Sequence, residues 1–194
     1  MTLENLVYIY SGRTFKNGVP ESDKPTHSVV QLRDFDKAND HRPIKWEQLS
    51  KTDLSNSKTD NSLKQGDILM VAKGPVKKAM CLNNIPKNVV ANQHFFVMRV
   101  KSKNSLSPDF FAHFLNSKPA QQWMSDNSGG SYQSTISKTI LSKLPFPDIS
   151  LEKQNLIAEA VTNVQKEIFL HEQLIKGRRQ EVNEVFRTVW GSTE

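Results

Sequence analysis

Few residues in this sequence have the type and spacing that chemistry requires. The best catalytic candidates are Asp34, Asp36 and Asp40, followed by His41. Carboxylates grouped this way could hold a divalent cation for phosphodiester hydrolysis, the arrangement a nuclease needs. Lys37 and Arg42 lie among them, however, and alternating carboxylates on a solvent face after a strand read as surface rather than as a metal site. The one cysteine, Cys81, has no base near it in sequence and reads as a small half-buried thiol. One cysteine without a His/Cys cluster forms neither an internal disulfide nor a structural zinc site, so a reduced compartment, the cytoplasm, is expected. There is no G-x-x-x-x-G-K-[ST], no strand-linked G-x-G-x-x-G, no H-E-x-x-H or paired C-x-x-C, and no G-x-S-x-G. The reading is therefore a chain with no catalytic residues, no metal site and no cofactor of its own.

Binding chemistry is better represented. Lys73, Lys77 and Lys78 follow an apolar run, where the end of a strand could present them to phosphates. Asn92, Gln93 and His94 lie between two further apolar runs and include the amides suited to bidentate contact with adenine. Ser131, Tyr132 and Gln133 sit in a loop of small residues that lets a backbone approach a phosphate, and Arg13 and Lys16 follow the first apolar run. Charge agrees with this distribution. The net charge is +6, but residues 1–149 carry +7 and residues 150–194 carry −1. An unbalanced basic domain suits a polyanion, because each neutralised phosphate releases condensed counterions.

The elements that must position these residues are short. Leu6–Tyr10, Ser28–Leu32, Ile68–Ala72, Val89–Ala91 and Phe95–Val100 read as strands, and Pro108–Met124 as a helix with Phe110, Phe111, Phe114 and Leu115 on its core side. Residues 50–66 read as a polar surface loop. Leu144-Pro-Phe-Pro147 marks a boundary, since two prolines in four residues favour extended chain. Two units are expected: a basic domain over 1–149 and a long helix over 150–194. No run is long and apolar enough for a membrane span, and no secretory leader is expected.

The terminal helix carries the most regular pattern. Ile157, Val161, Val164, Ile168, His171, Ile175, Arg178, Val182, Val185 and Val189 follow an alternating 4,3 spacing, which is what two helices packed along their length require. Such a helix is roughly 60 Å long at 1.5 Å per residue, longer than a domain of this size is wide. Part of it needs another surface, and a companion helix is expected. His171 and Arg178 interrupt the seam, where polar residues can fix register or orientation.

The order of short motifs resembles the specificity (S) subunits of type I restriction-modification systems, in particular one target-recognition domain with its spacer helix. The residues carrying the resemblance are Ser11-Gly-Arg-Thr14, Leu63-Lys-Gln-Gly-Asp-Ile-Leu69 with Lys73-Gly74, Val90-Ala-Asn-Gln-His-Phe-Phe96 and Phe111–Ser117. They continue with Gly129–Ile136, Leu141-Ser-Lys-Leu-Pro-Phe-Pro147 and Leu151-Glu-Lys-Gln-Asn-Leu-Ile157. The resemblance implies an α+β fold, with a mixed α/β recognition domain and a long C-terminal α-helix that forms an antiparallel coiled coil. It implies double-stranded DNA as ligand and a methyltransferase (M) subunit as partner, with a restriction subunit in complete systems. S-adenosylmethionine would belong to the methyltransferase. Typical members carry two recognition domains and two helices, whereas this chain resembles a half-length form, so a homodimer reading a two-part symmetric site is expected. A free-standing DNA-binding regulator or decoy, without a methyltransferase, is the competing expectation.

Overall fold

The computed structural model describes residues 1–36, 44–57, 61–73, 77–129 and 135–191. A single helical turn, α1 (Leu3–Leu6), leads into β1 (Val7–Ser11), and β2 (His27–Val30) is followed by the short α2 (Leu32–Asp36). Next come β3 (Ser50–Thr52), β4 (Ile68–Val71), β5 (Ala79–Cys81), β6 (Val89–Ala91) and β7 (Phe95–Val100). The helices α3 (Pro108–Asn116), α4 (Lys118–Asp126), α5 (Lys138–Leu141) and α6 (Leu151–Gly191) complete the order.

The strands form two sheets. One is antiparallel with order β1-β7-β4-β5, and the other has order β3-β2-β6, with β2 parallel to β6. The unbroken apolar run of β4 and most of β7 is explained by burial on both faces. Ile68, Met70, Phe96 and Met98 face a core shared with Phe110, Phe111, Leu115 and Met124, while Leu69, Val71, Phe95 and Val97 face one shared with Val30, Phe35, Val89 and Ala91. The larger sheet is thus sandwiched between helices and the smaller sheet.

Several elements depart from the sequence reading. The expected helix over 108–124 is two helices, because Ser117 takes extended angles and its hydroxyl accepts from the Ala120 amide to start α4. Pro119 then stands in the first turn, where its missing N–H costs nothing. The supposed loop over 50–66 contains β3, a polar strand at the sheet edge that no apolar alternation announces. Strand β5 likewise follows a segment that reads as loop. Its Ala79 amide donates to Asn116 Oδ1 and its carbonyl accepts from Asn116 Nδ2, so one side chain of α3 satisfies the outer edge at that residue.

Helix α6 is 41 residues long. Ser150 Oγ accepts from the Lys153 amide at its start. Only the first turns pack on the domain. Gln154 is 1% exposed, its Oε1 accepts from the Ser107 amide, and its Nε2 donates to the carbonyls of Ser105 and Ile149. Ala158 is buried, Ile157 packs against the larger core, and His113 hydrogen-bonds with Thr162. Beyond that point Val164, Ile168, Ile175, Val182, Val185 and Val189 are all exposed. No helix among the described residues is long and apolar enough to cross a membrane.

Candidate nucleic-acid interface

Strand register gathers most of the expected contact residues at one end of the larger sheet. Ser11 pairs with Phe96, Val71 with Phe95 and Met70 with Ala79, so β1 and β4 end where β7 and β5 begin. Residues 12–16, 72–73, 77–78 and 92–94 therefore leave or enter the sheet at the same end. The segment around Gly129 and Thr135 joins them, because Thr135 bridges both Lys73 and Gly129.

The 91–95 turn is the scaffold of this end. The Gly12 amide donates to the Phe95 carbonyl, the Arg13 amide to Ala91, and the Ala72 amide to His94. A side chain at residue 12 has no room: a Cβ there would lie 1.9 Å from the Asn92 carbonyl oxygen. Glycine at this position is a requirement of close backbone approach.

Residue by residue, the expected site divides in two. Lys16 and Lys73 are exposed. Arg13 is half-buried, with Nη1 donating to Ser57 Oγ at 2.7 Å, so Ser57 also reaches this end. Lys78 is half-buried with its ammonium 5.3 Å from the Phe35 ring centroid. Gln93 and His94 are half-buried; Gln93 Oε1 accepts from the Phe15 amide, which anchors the loop after β1.

Two residues sit where the sequence reading did not place them. Lys77 is 2% exposed rather than presented to phosphates. Its amide donates to Gln121 Oε1, its carbonyl accepts from Gln121 Nε2, and burial lowers its pKa. Asn92 is buried as well, and its Oδ1 accepts from the His94 amide, closing the turn instead of reading a base. In both cases residue type gave a contact chemistry, but Gln121 holds the Lys77 main chain in the interior and the His94 amide takes the Asn92 side chain. Ser131, Tyr132 and Gln133 lie outside the described residues.

The candidates for chemistry resolve differently. Asp34 Oδ2 accepts from the Gln31 amide, closing the first turn of α2. Asp40 and His41 lie outside the described residues, and among the described residues no group of three potential metal ligands comes together. The Cys81 thiol is half-buried and its pKa is raised well above the ordinary 9.0, first by burial and then by the Asp109 carboxylate beside it. It lines a groove of about 610 Å³ at the base of the domain, whose walls include Trp46, Asp109, His113 and Thr162. On the other face, the buried Asp67 accepts from Arg99 Nε and Nη2, each at 2.7 Å, tying β7 to the turn before β4.

The described residues thus form a two-sheet domain that gathers basic and amide side chains at one end and extends as one long helix. Residues 1–178 match the type I restriction modification DNA specificity domain, and the chain belongs to that family. Solved structures share the fold, among them the following three. The S subunit of a type I restriction-modification system from M. genitalium is 14% identical, with a TM-score of 0.57, covering 93% of this chain and 42% of that one. A structure described as the basis of complex assembly and conformational transition of the type I R-M system is 15% identical, with a TM-score of 0.67, covering 95% and 42%. The HsdS subunit from Thermoanaerobacter tengcongensis is 17% identical, with a TM-score of 0.58, covering 87% and 37%. At such identities the likeness is one of fold. The chain spans about two fifths of the length of these relatives. No curated protein matches the sequence.

Proposed function

We propose that this chain is a non-catalytic specificity subunit that selects the DNA site at which a methyltransferase partner acts. The single observation that carries the reading is the end of the larger sheet, where exposed Lys16 and Lys73 flank Arg13, Gln93 and His94 on a turn fixed by Gly12 and Asn92. Cations supply salt-dependent attraction to phosphates, while rigid amide and imidazole groups can read base edges. S-adenosylmethionine would be held by the methyltransferase subunit, and a restriction subunit would join in a complete system.

Two copies would act together, joined through α6, and present two heads to a two-part symmetric site. The exposed seam from Val164 to Val189 supports this, as does the match to about two fifths of longer S subunits. The test is binding of labelled duplex DNA by the full chain, with and without the methyltransferase subunit, over a salt series, alongside light scattering for mass. Binding that weakens steeply with salt and a two-chain mass are expected. Undetectable binding at low salt even with the methyltransferase overturns the reading; binding by a chain that recruits no methyltransferase favours a free-standing regulator.

A further inference from the structure

We propose that α6 pairs with a second copy in one defined antiparallel register. Its two-fold axis passes between Lys176 and Gly177, and Phe186 and Trp190 of each chain cover the groove at the base of the other's head. The inference rests on the two-copy reading above and adds what that reading leaves open.

Three observations select this register. First, the head consumes the start of the helix: Gln154 and Ala158 are buried, Ile157 and Val161 are half-buried, and Thr162 bonds His113. A companion helix can therefore lie alongside only from about Val164 onward. Pairing Val164 with the partner's Val189, Ile168 with the partner's Val185, His171 with the partner's Val182 and Ile175 with the partner's Arg178 uses that stretch to its end.

Second, the flanking charges agree. In an antiparallel pair the positions just after one seam residue face each other across the interface, as do those just before the other. This register sets Glu172 against the partner's Arg179, twice by symmetry. Sliding one heptad toward the N-terminus sets Glu172 against the partner's Glu172 and Glu167 against the partner's Glu181. Sliding one heptad the other way sets Arg179 against the partner's Arg179 and Glu181 against the partner's Glu181. A parallel pair would stack Arg178 on the partner's Arg178. The polar seam residue Arg178 is accommodated, because its guanidinium already bonds Glu181 of its own chain at 2.8 Å, leaving its aliphatic stem to cover the partner's Ile175.

Third, the ends meet something. Trp190 and Phe186 are 81% and 69% exposed on the terminal turns. In this register they come level with residues 163–167 of the partner. They lie on the side of the helix pair that carries the head, beside the groove lined by Thr162, His113 and Trp46.

The experiment uses the full chain with Cys81→Ser. Ile168→Cys with Val185→Cys should form an intermolecular disulfide in nearly all molecules under mild oxidation; within one helix these positions are roughly 25 Å apart and cannot join. Val161→Cys with Val185→Cys, which reports the neighbouring register, should not cross-link. Glu172→Arg should weaken dimerisation roughly tenfold or more, and Glu172→Arg with Arg179→Glu should restore it. In a Trp46→Phe, Trp123→Phe chain the emission of Trp190 should shift to the blue as concentration drives dimerisation. A dimer that cross-links through 161 and 185, is not rescued by the charge swap, or leaves Trp190 emission unchanged overturns this inference alone. A chain monomeric at all concentrations overturns it together with the two-copy reading.

Discussion

Replacing Gln154 tests how head and helix are joined. The side chain is 1% exposed and makes three hydrogen bonds, accepting from the Ser107 amide at 2.9 Å and donating to the Ser105 and Ile149 carbonyls at 3.0 Å each. Gln154→Ala leaves the Ser107 amide, itself on a buried residue, without a partner, at a cost of about 1–3 kcal/mol. The two carbonyls lie on exposed or half-buried residues that water can reach, so they add little; lost packing adds about 1 kcal/mol. A loss of about 2–4 kcal/mol is expected in urea unfolding, read as a lower midpoint at unchanged slope. Gln154→Glu should keep the Ser107 bond but lose both donations and bury a charge. Its carboxyl pKa would rise in the folded state, so the added penalty should be full at neutral pH and fade as the pH falls toward about 4. A Gln154→Ala protein within about 0.5 kcal/mol of wild type would refute the idea that this side chain anchors the helix.

Other outcomes follow from the same geometry. Gly12→Ala should destabilise the chain by more than about 2 kcal/mol and abolish DNA binding, since its Cβ would meet the Asn92 carbonyl; a normal melting curve would show that the 91–95 turn yields freely. Lys73→Ala should weaken duplex binding and lower the salt slope by about one per head, while Lys77→Met should leave that slope unchanged because Lys77 is interior. Equal effects of the two substitutions would contradict the placement. Cys81 should resist thiol reagents at pH 8.5 until the chain unfolds. Its folded pKa is raised, so the unfolded chain loses this proton first, and stability should fall as pH rises above 9.0; Cys81→Ala should lack this part of the alkaline loss.

Much of the fold was legible because burial leaves a plain mark. The apolar runs at Ile68–Val71 and Phe95–Val100 read as strands and are strands, buried on both faces over most of their length, and the 4,3 spacing after Ser150 announced α6. Strand β3, made of Ser50, Lys51 and Thr52, left no such mark, because an edge strand needs no apolar alternation. The candidate site was legible in residue type but not in orientation. Arg13, Lys16, Lys73, Gln93 and His94 reach one end of the sheet because strand ends converge there, yet nothing in spacing told that Gln121 would enclose Lys77 or that Asn92 would turn inward to His94. The first role depends on a partner 44 residues away and the second on turn geometry, and one-dimensional pattern carries neither. The participation of Ser57, bonded to Arg13, had no signal at all.

The most direct measurement is selection of bound sites from random duplex DNA, using the full chain with its methyltransferase subunit at moderate salt. Two short inverted half-sites at a fixed separation should emerge, and Lys73→Ala should weaken recovery without changing the motif. Recovery of no motif, or of a single uninterrupted half-site from a particle proven to contain two chains, would contradict a two-headed reader of DNA.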